Sequence, residues 1–357
     1  MLIKVYLKLK VIDMIKVGFL PLYNAQKPSS RYRVFQFLKP LSEAGIQSKT
    51  LDAPERNPLN RLLYLPRLLP VINNSDILFI QKRMLPKTIM HTIEKINPRI
   101  IFDFDDAIFL HDQIREHVNV MLKSVSIVIA GNEYLANYAR NYNQNVVILP
   151  TVVDTNYYYP SPINRDRNKS GIVVGWIGMD PSRGDLEQVK TVLNWLGQKF
   201  NDKVVFHIIA DRPLDIQFDL RVEFIPWRLE SARFALQRFD IGLMPLDDTP
   251  WNRGKCRLKL IQYMAVGAAT VASPVGVNKE IIMEGQSGYL ATTIEDWREK
   301  LARLIEDFDL RIQMGQQGRK RVEQLFSVKA ILPRLIEVLK RASISNIHDE
   351  KQGRFFR

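Results

Sequence analysis

Four cations at alternate positions, Arg253, Lys255, Arg257 and Lys259, stand at the expected start of a helix in Trp251-Asn-Arg-Gly-Lys-Cys-Arg-Leu-Lys-Leu-Ile-Gln-Tyr-Met-Ala-Val-Gly267. The first turn of a helix carries unpaired N–H groups and the positive end of the dipole, so each cation there costs roughly 0.3–1 kcal/mol. An anion over that helix end reverses the sign, because backbone donors and side-chain cations then hold it together. A diphosphate is the obvious candidate. The alternative is a solvated basic helix end whose boundary lies one turn away.

Carboxylates form a second constellation. Phe102-Asp-Phe-Asp-Asp-Ala-Ile-Phe109 ends an expected strand and places Asp103, Asp105 and Asp106 within four residues. Alternation sends Asp103 and Asp105 to one face and Asp106 into the turn. Such a cluster repels itself, and burial raises that cost. One reading is aspartates that cap helices and brace a turn. A metal site lacks an evident third ligand group.

Two strand-to-helix turns could meet a ligand. Pro28-Ser-Ser-Arg-Tyr-Arg33 follows the first strand, with Ser30 as the expected helix N-cap and Arg31 and Arg33 free to meet a phosphate or a sugar hydroxyl. A plain cap with solvated arginines explains it equally. Gly175-Trp-Ile-Gly178-Met-Asp-Pro-Ser-Arg183-Gly184 ends another strand, where Gly178 lets backbone approach a diphosphate and Arg183 could neutralise it. A bare packing turn is as good an explanation.

These turns need a scaffold, and the apolar pattern supplies one. Ile15–Leu20, Ile77–Gln81, Ile100–Phe104, Ile127–Ala130 and Val146–Leu149 read as buried strands, alternating with helical stretches such as Arg33–Ala44 and Glu133–Asn141. Gly171–Ile177, Val204–Ala210, Val222–Ile225, Ile241–Pro245 and Ala269–Ser273 repeat the scheme. This alternation predicts two doubly wound α/β domains. The polar, proline-bearing stretch 157–171 reads as a linker. The expected layout is an N-terminal domain over 1–160, with 1–13 an extension or a misassigned start, and a C-terminal domain over 171–326. A closing helix over 327–341 and a polar basic tail over 342–357 complete it.

Composition narrows the classes. The chain has 357 residues, 46% of them hydrophobic, enough for a large core. No apolar run approaches the roughly 20 residues that cross a bilayer. The lysine-broken N-terminus makes a poor signal peptide, and the single Cys256 rules out an internal disulfide framework, so a cytoplasmic location is expected. Five histidines without a Cys/His cluster argue against structural zinc. A net charge of +13 predicts an anionic partner, and without a helix-turn-helix, RNP-type strand or zinc finger, nucleic acid is disfavoured. Arg56–Ile72 combines arginines with leucines and could lie on an anionic membrane surface, although such a stripe also packs on its own domain and prolines interrupt it.

After the basic segment come Met264-Ala-Val-Gly267, a strand, Ser273-Pro-Val-Gly276, Glu280-Ile-Ile and a hairpin-like Gly285-Gln-Ser-Gly-Tyr-Leu290. In this order the sequence resembles the donor-binding core of retaining, family 4 type glycosyltransferases, over most of the chain and most strongly at 239–297. The resemblance implies a GT-B architecture, two Rossmann-like domains facing a central cleft. It implies transfer of a sugar from a nucleotide-diphosphate sugar to the hydroxyl of a glycan or lipid-linked acceptor. Retention at the anomeric carbon, no bound metal or cofactor, and a setting in surface polysaccharide or glycolipid assembly follow from the same likeness. Donor contacts would come from Gly178, Arg183, Arg253, Gly254, Lys255, Lys259, Gln262 and Glu280, with Trp227 stacking on the base or lying in the core. Acceptor contacts would come from Ser30, Arg31 and Arg33, and Asp105, Asp106 and Lys255 would serve catalysis. One departure stands out. The family pattern Glu, seven residues, Glu falls on Gly254 and Gln262, so both carboxylates are missing. Gln262 can still bond a ribose hydroxyl, whereas Gly254 cannot replace a Glu. A non-catalytic sugar-nucleotide or glycan-binding module is therefore the alternative.

Overall fold

The computed structural model describes residues 14–53, 58–161, 171–179 and 182–344, without the side chains of 58–63 and 65. The expected extension 1–13, most of the linker, and the tail beyond 344 lie outside the described residues. The described chain forms two six-stranded parallel sheets. The first has the order β2-β1-β3-β4-β5-β6, with β1 Lys16–Leu20, β2 Gln47–Thr50, β3 Ile77–Gln81, β4 Ile100–Phe104, β5 Ile127–Ala130 and β6 Val146–Ile148. The second has the order β12-β11-β10-β7-β8-β9, with β7 Ile172–Ile177, β8 Val204–Ala210, β9 Arg221–Pro226, β10 Ile241–Met244, β11 Ala269–Ala272 and β12 Tyr289–Leu290. Central strands such as β3, Ile-Leu-Phe-Ile-Gln, are buried at every position, as parallel strands covered on both faces must be.

Contacts group the residues into two compact units. One comprises Met1–Asp103, Val120–Val128 and Leu335–Arg357, and the other Phe104–Asn119 and Ile129–Arg334. The core of the second unit includes Trp176, Leu193, Phe206, Leu243, Val271 and Trp297.

Several local expectations are corrected. β2 is Gln-Ser-Lys-Thr, mostly exposed, and no apolar pattern announces it; backbone pairing to β1 makes it an edge strand. The hairpin-like segment is no hairpin, because Tyr289–Leu290 adds in parallel to β11. Prolines do not interrupt the helix Pro58–Asn73, which continues through Pro66 and Pro70. Both are exposed, so carbonyls they leave unpaired can be hydrated. On that helix Leu68 is buried and Leu69 is 46% exposed, while Arg56 and the side chain of Arg61 lie outside the described residues. Among the described residues no helix is long and apolar enough to cross a membrane. The closing helix runs over Val328–Ile344, burying Ile331, Leu335 and Leu339.

Candidate functional site

The basic segment folds as two helices with a break, which corrects the expectation of four cations on one helix start. Thr249 caps a short helix Pro250–Gly254, its Oγ1 accepting from the Asn252 amide at 3.1 Å, with Pro250 in the first turn. Lys255 is extended, Arg257 is left-handed at φ 56° and ψ 43°, and a second helix, Leu258–Ala265, begins after it. Left-handed backbone costs a residue with a Cβ about 1–2 kcal/mol. No Arg257 side-chain atom caps the second helix, whose first N–H groups have no carbonyl partner within the helix itself. The four cations therefore meet four environments. Arg253 ends the short helix, exposed, and donates from Nε and Nη2 to Asp248 at 2.6 and 2.9 Å. Lys255 occupies the break, with Nζ 5.8 Å from the Trp251 ring. Lys259 falls in the first turn of the second helix.

Arg257 is the residue that sequence reading undervalued. It is 3% exposed. Its Nη2 donates to the Asn252 carbonyl, while Nε and Nη1 are buried and meet no acceptor among the described residues. An orphaned buried donor costs about 1–3 kcal/mol, more when charged. Burial pulls the guanidinium down to about 10, against the pull of Cys256, Asp185 and Asp106. A strained backbone and orphaned donors in one residue make Arg257 a candidate functional position.

Lys259 stands beside it. Burial brings its ammonium down to about 8, with Asp185 pulling up and Lys255 and Arg257 pushing down. Its Nζ lies 4.6 Å from the Trp176 ring centroid and 3.9 Å from Asp185 Oδ2. Gly178 makes the arrangement possible, since a Cβ there would sit 2.1 Å from the Trp176 ring and 2.9 Å from Lys259 Nζ. Its small size serves the indole and the lysine as much as any ligand.

The break is held from within the same unit. Asn132 caps the helix Glu133–Arg140, its Oδ1 accepting from the Leu135 amide at 2.9 Å, and its Nδ2 donates to the Gly254 carbonyl at 3.0 Å. A Cβ on Gly254 would meet the Ala107 Cβ at 2.5 Å. The residue after Asp105 and Asp106 thus packs where a longer side chain at 254 would have to start, and the missing Glu has a steric reason. Asp105 and Asp106 are half-buried in the turn after β4, and Asp106 acts electrostatically on Arg257.

The remaining candidates each have their own surroundings. Gln262 is 6% exposed and donates from Nε2 to the Tyr158 hydroxyl at 2.8 Å. Arg183 is exposed before the short helix Gly184–Glu187. Trp227 is half-buried beyond β9, its amide bonded to the Ala210 carbonyl at 2.7 Å. Glu280 is exposed in the helix Asn278–Ile281, its carboxyl raised by partial burial and by Glu133.

In the other unit, Ser30 is not an N-cap. The helix starts at Pro28 and passes through a π-turn at Arg31–Phe35, and the Ser30 hydroxyl donates to Gln81 Oε1 at 2.8 Å and accepts from the Tyr23 amide at 3.0 Å. Arg31 donates to the Ala25 and Gln26 carbonyls. Arg33 is buried and pairs with Asp103, with Nε to Oδ2 at 3.0 Å and Nη2 to Oδ1. Neither arginine is a solvated helix-end charge. Among the described residues no group of three His, Cys, Asp or Glu could hold a metal.

Two parallel α/β sheets with charged turns at their strand ends are the architecture of the GT-B glycosyltransferases. Sucrose-phosphate synthase of Thermosynechococcus elongatus superposes with a TM-score of 0.71 at 13% identity, over 92% of this chain and 98% of that one. HepE of Anabaena, solved with UDP-glucose, gives 0.65 at 17% identity over 92% and 100%. WaaG, a glycosyltransferase involved in lipopolysaccharide biosynthesis, gives 0.64 at 12% identity over 89% and 99%. No curated protein matches the chain in sequence. Residues 173–307 match the family described as Glycosyl transferases group 1. The matched stretch lies within the second unit, so that unit is similar to the group 1 glycosyltransferases.

Proposed function

We propose that the second unit binds a nucleotide-diphosphate sugar with its diphosphate over the start of the helix Leu258–Ala265, held by Lys255, Arg257 and Lys259. The observation that carries this reading is Arg257, buried with two orphaned N–H groups beside Lys259 and an uncapped helix end. The UDP-glucose complex of HepE, a protein of the same fold, supports it. In the transfer the bond from the sugar's anomeric carbon to the diphosphate oxygen breaks, and a bond to the acceptor hydroxyl forms. Negative charge grows on the departing diphosphate, where three fixed cations stabilise it without reorganising. They supply the charge that a metal ion provides elsewhere, so the reaction proceeds without one.

Retention at the anomeric carbon follows from the family resemblance. The acceptor hydroxyl then enters on the face the diphosphate leaves, and the departing phosphate oxygen takes its proton. Asp105 and Asp106 lie next to Ala107, which packs on Gly254, and contact the reacting sugar. The acceptor is a glycan or a lipid-linked sugar, in keeping with the lipopolysaccharide role of WaaG. A peripheral position on the inner face of a membrane would bring enzyme and acceptor together.

The test is thermal stabilisation by UDP, GDP, ADP and their sugar conjugates, with and without EDTA. A ligand at 100 times its dissociation constant stabilises by about 2.7 kcal/mol. Selective stabilisation by one nucleotide diphosphate, indifferent to EDTA, is expected; no response to any of them rejects the donor site.

A further inference from the structure

Asp185 is a carboxylate placed among the cations assigned above to a diphosphate. Its side chain is 17% exposed, and Oδ2 lies 3.9 Å from Lys259 Nζ, outside hydrogen-bond range. The charged groups that act on it are Lys259 in the first turn of its helix, Lys255 and Arg257 in the break, and Asp247 after β10. Three cations act on one loosely held carboxylate. Arg257 keeps two N–H groups unused although that carboxylate is near.

We propose that Asp185 is the resident counter-ion of this cation cluster, displaced electrostatically by the incoming diphosphate and protonated as the diphosphate binds. The inference rests on the donor-site reading. A diphosphate brings further negative charge to the same three cations, and like charges at close range cannot all stay ionised. Burial already holds the Asp185 carboxyl above its usual range in spite of its cationic neighbours, and Asp247 pushes the same way. Binding raises it further. Affinity for the diphosphate is therefore greatest below the free-protein value, falls as pH rises between the free and bound values, and is weakest above both. Once ionised, the carboxylate competes with the product nucleoside diphosphate and favours its release. A carboxylate that merely props Lys259 in place would have the opposite effect on affinity when removed.

Calorimetric titration of UDP, GDP and ADP separates the two. Wild type, Asp185→Asn and Asp185→Ala are compared at pH 6 to 7, in two buffers of different ionisation enthalpy. Lys259, at about 8, is mostly charged in that range, and the terminal phosphate of the nucleotide titrates there in wild type and variants alike, so the difference in proton exchange between them reports on the carboxylate. The expected result is greater net proton uptake by the wild type than by either variant, with affinity of the folded variants higher by about tenfold at pH 7. Unchanged or weaker binding by folded variants overturns the counter-ion role while leaving the donor site standing. A wild type that binds no nucleoside diphosphate overturns the donor site and this inference with it.

Discussion

Two arginine-bearing turns follow strands in the two units, and they use their charge in opposite ways. After β1, Arg33 is spent on Asp103 and Arg31 on the Ala25 and Gln26 carbonyls. After β10, Arg253 is spent on Asp248, but Arg257 is buried with two donors unused and Lys259 meets the Trp176 face and a distant carboxylate. Both turns look basic in sequence. Satisfaction of donors, more than the count of cations, is what distinguishes the two turns.

The largest expected effect breaks the bracing turn. Arg33→Ala removes the cation paired with the buried Asp103 carboxylate, and breaking a buried pair costs about 3–5 kcal/mol. Chemical denaturation should show that loss, with nucleotide affinity of the folded fraction intact. Reduced affinity without lost stability would move Arg33 into the binding machinery. Next comes the open turn. Lys255→Ala should lower turnover at least tenfold, about 1.4 kcal/mol of transition-state stabilisation, at an unchanged melting temperature. Near-wild-type turnover would remove the leaving-group role.

A pH series sharpens the comparison further. Lys259 titrates at about 8 in the free protein, and a bound anion raises that value. Donor affinity contributed by its charge is full below about 8 and declines above it. A flat profile from pH 7 to 9.5 would show that the lysine stays clear of the diphosphate. The smallest effect belongs to Arg253, whose guanidinium is exposed and committed to Asp248. Arg253→Ala should change affinity less than threefold by calorimetry, and a loss comparable with that of Lys255→Ala would place it on the ligand.

The sheets were legible because buried parallel strands are continuous apolar runs. β3, β4, β5 and β8 fall where the sequence puts them, residue for residue. β2 was not, since Gln-Ser-Lys-Thr earns its place through backbone pairing alone. The site was legible as a segment but not as a geometry. Cations at alternate positions implied an anion, yet the helix break and the left-handed Arg257 leave no mark in composition, because Arg rarely adopts that backbone. Asp185 was invisible for another reason: it comes from a different strand-to-helix connection more than 70 residues away from Lys259. The missing Glu at 254 left a non-catalytic module open as the alternative reading. The close approach of Ala107 explains the absence as packing.

The central claim is that Arg257 is held in a strained, unsatisfied state for the sake of a ligand. Arg257→Gly tests it most directly, because glycine accepts φ 56° without strain and removes the orphaned charge. Calorimetric titration with UDP, GDP and ADP, paired with melting temperature, should show affinity lowered at least tenfold while stability is unchanged or higher. Wild-type affinity in this variant would contradict the account.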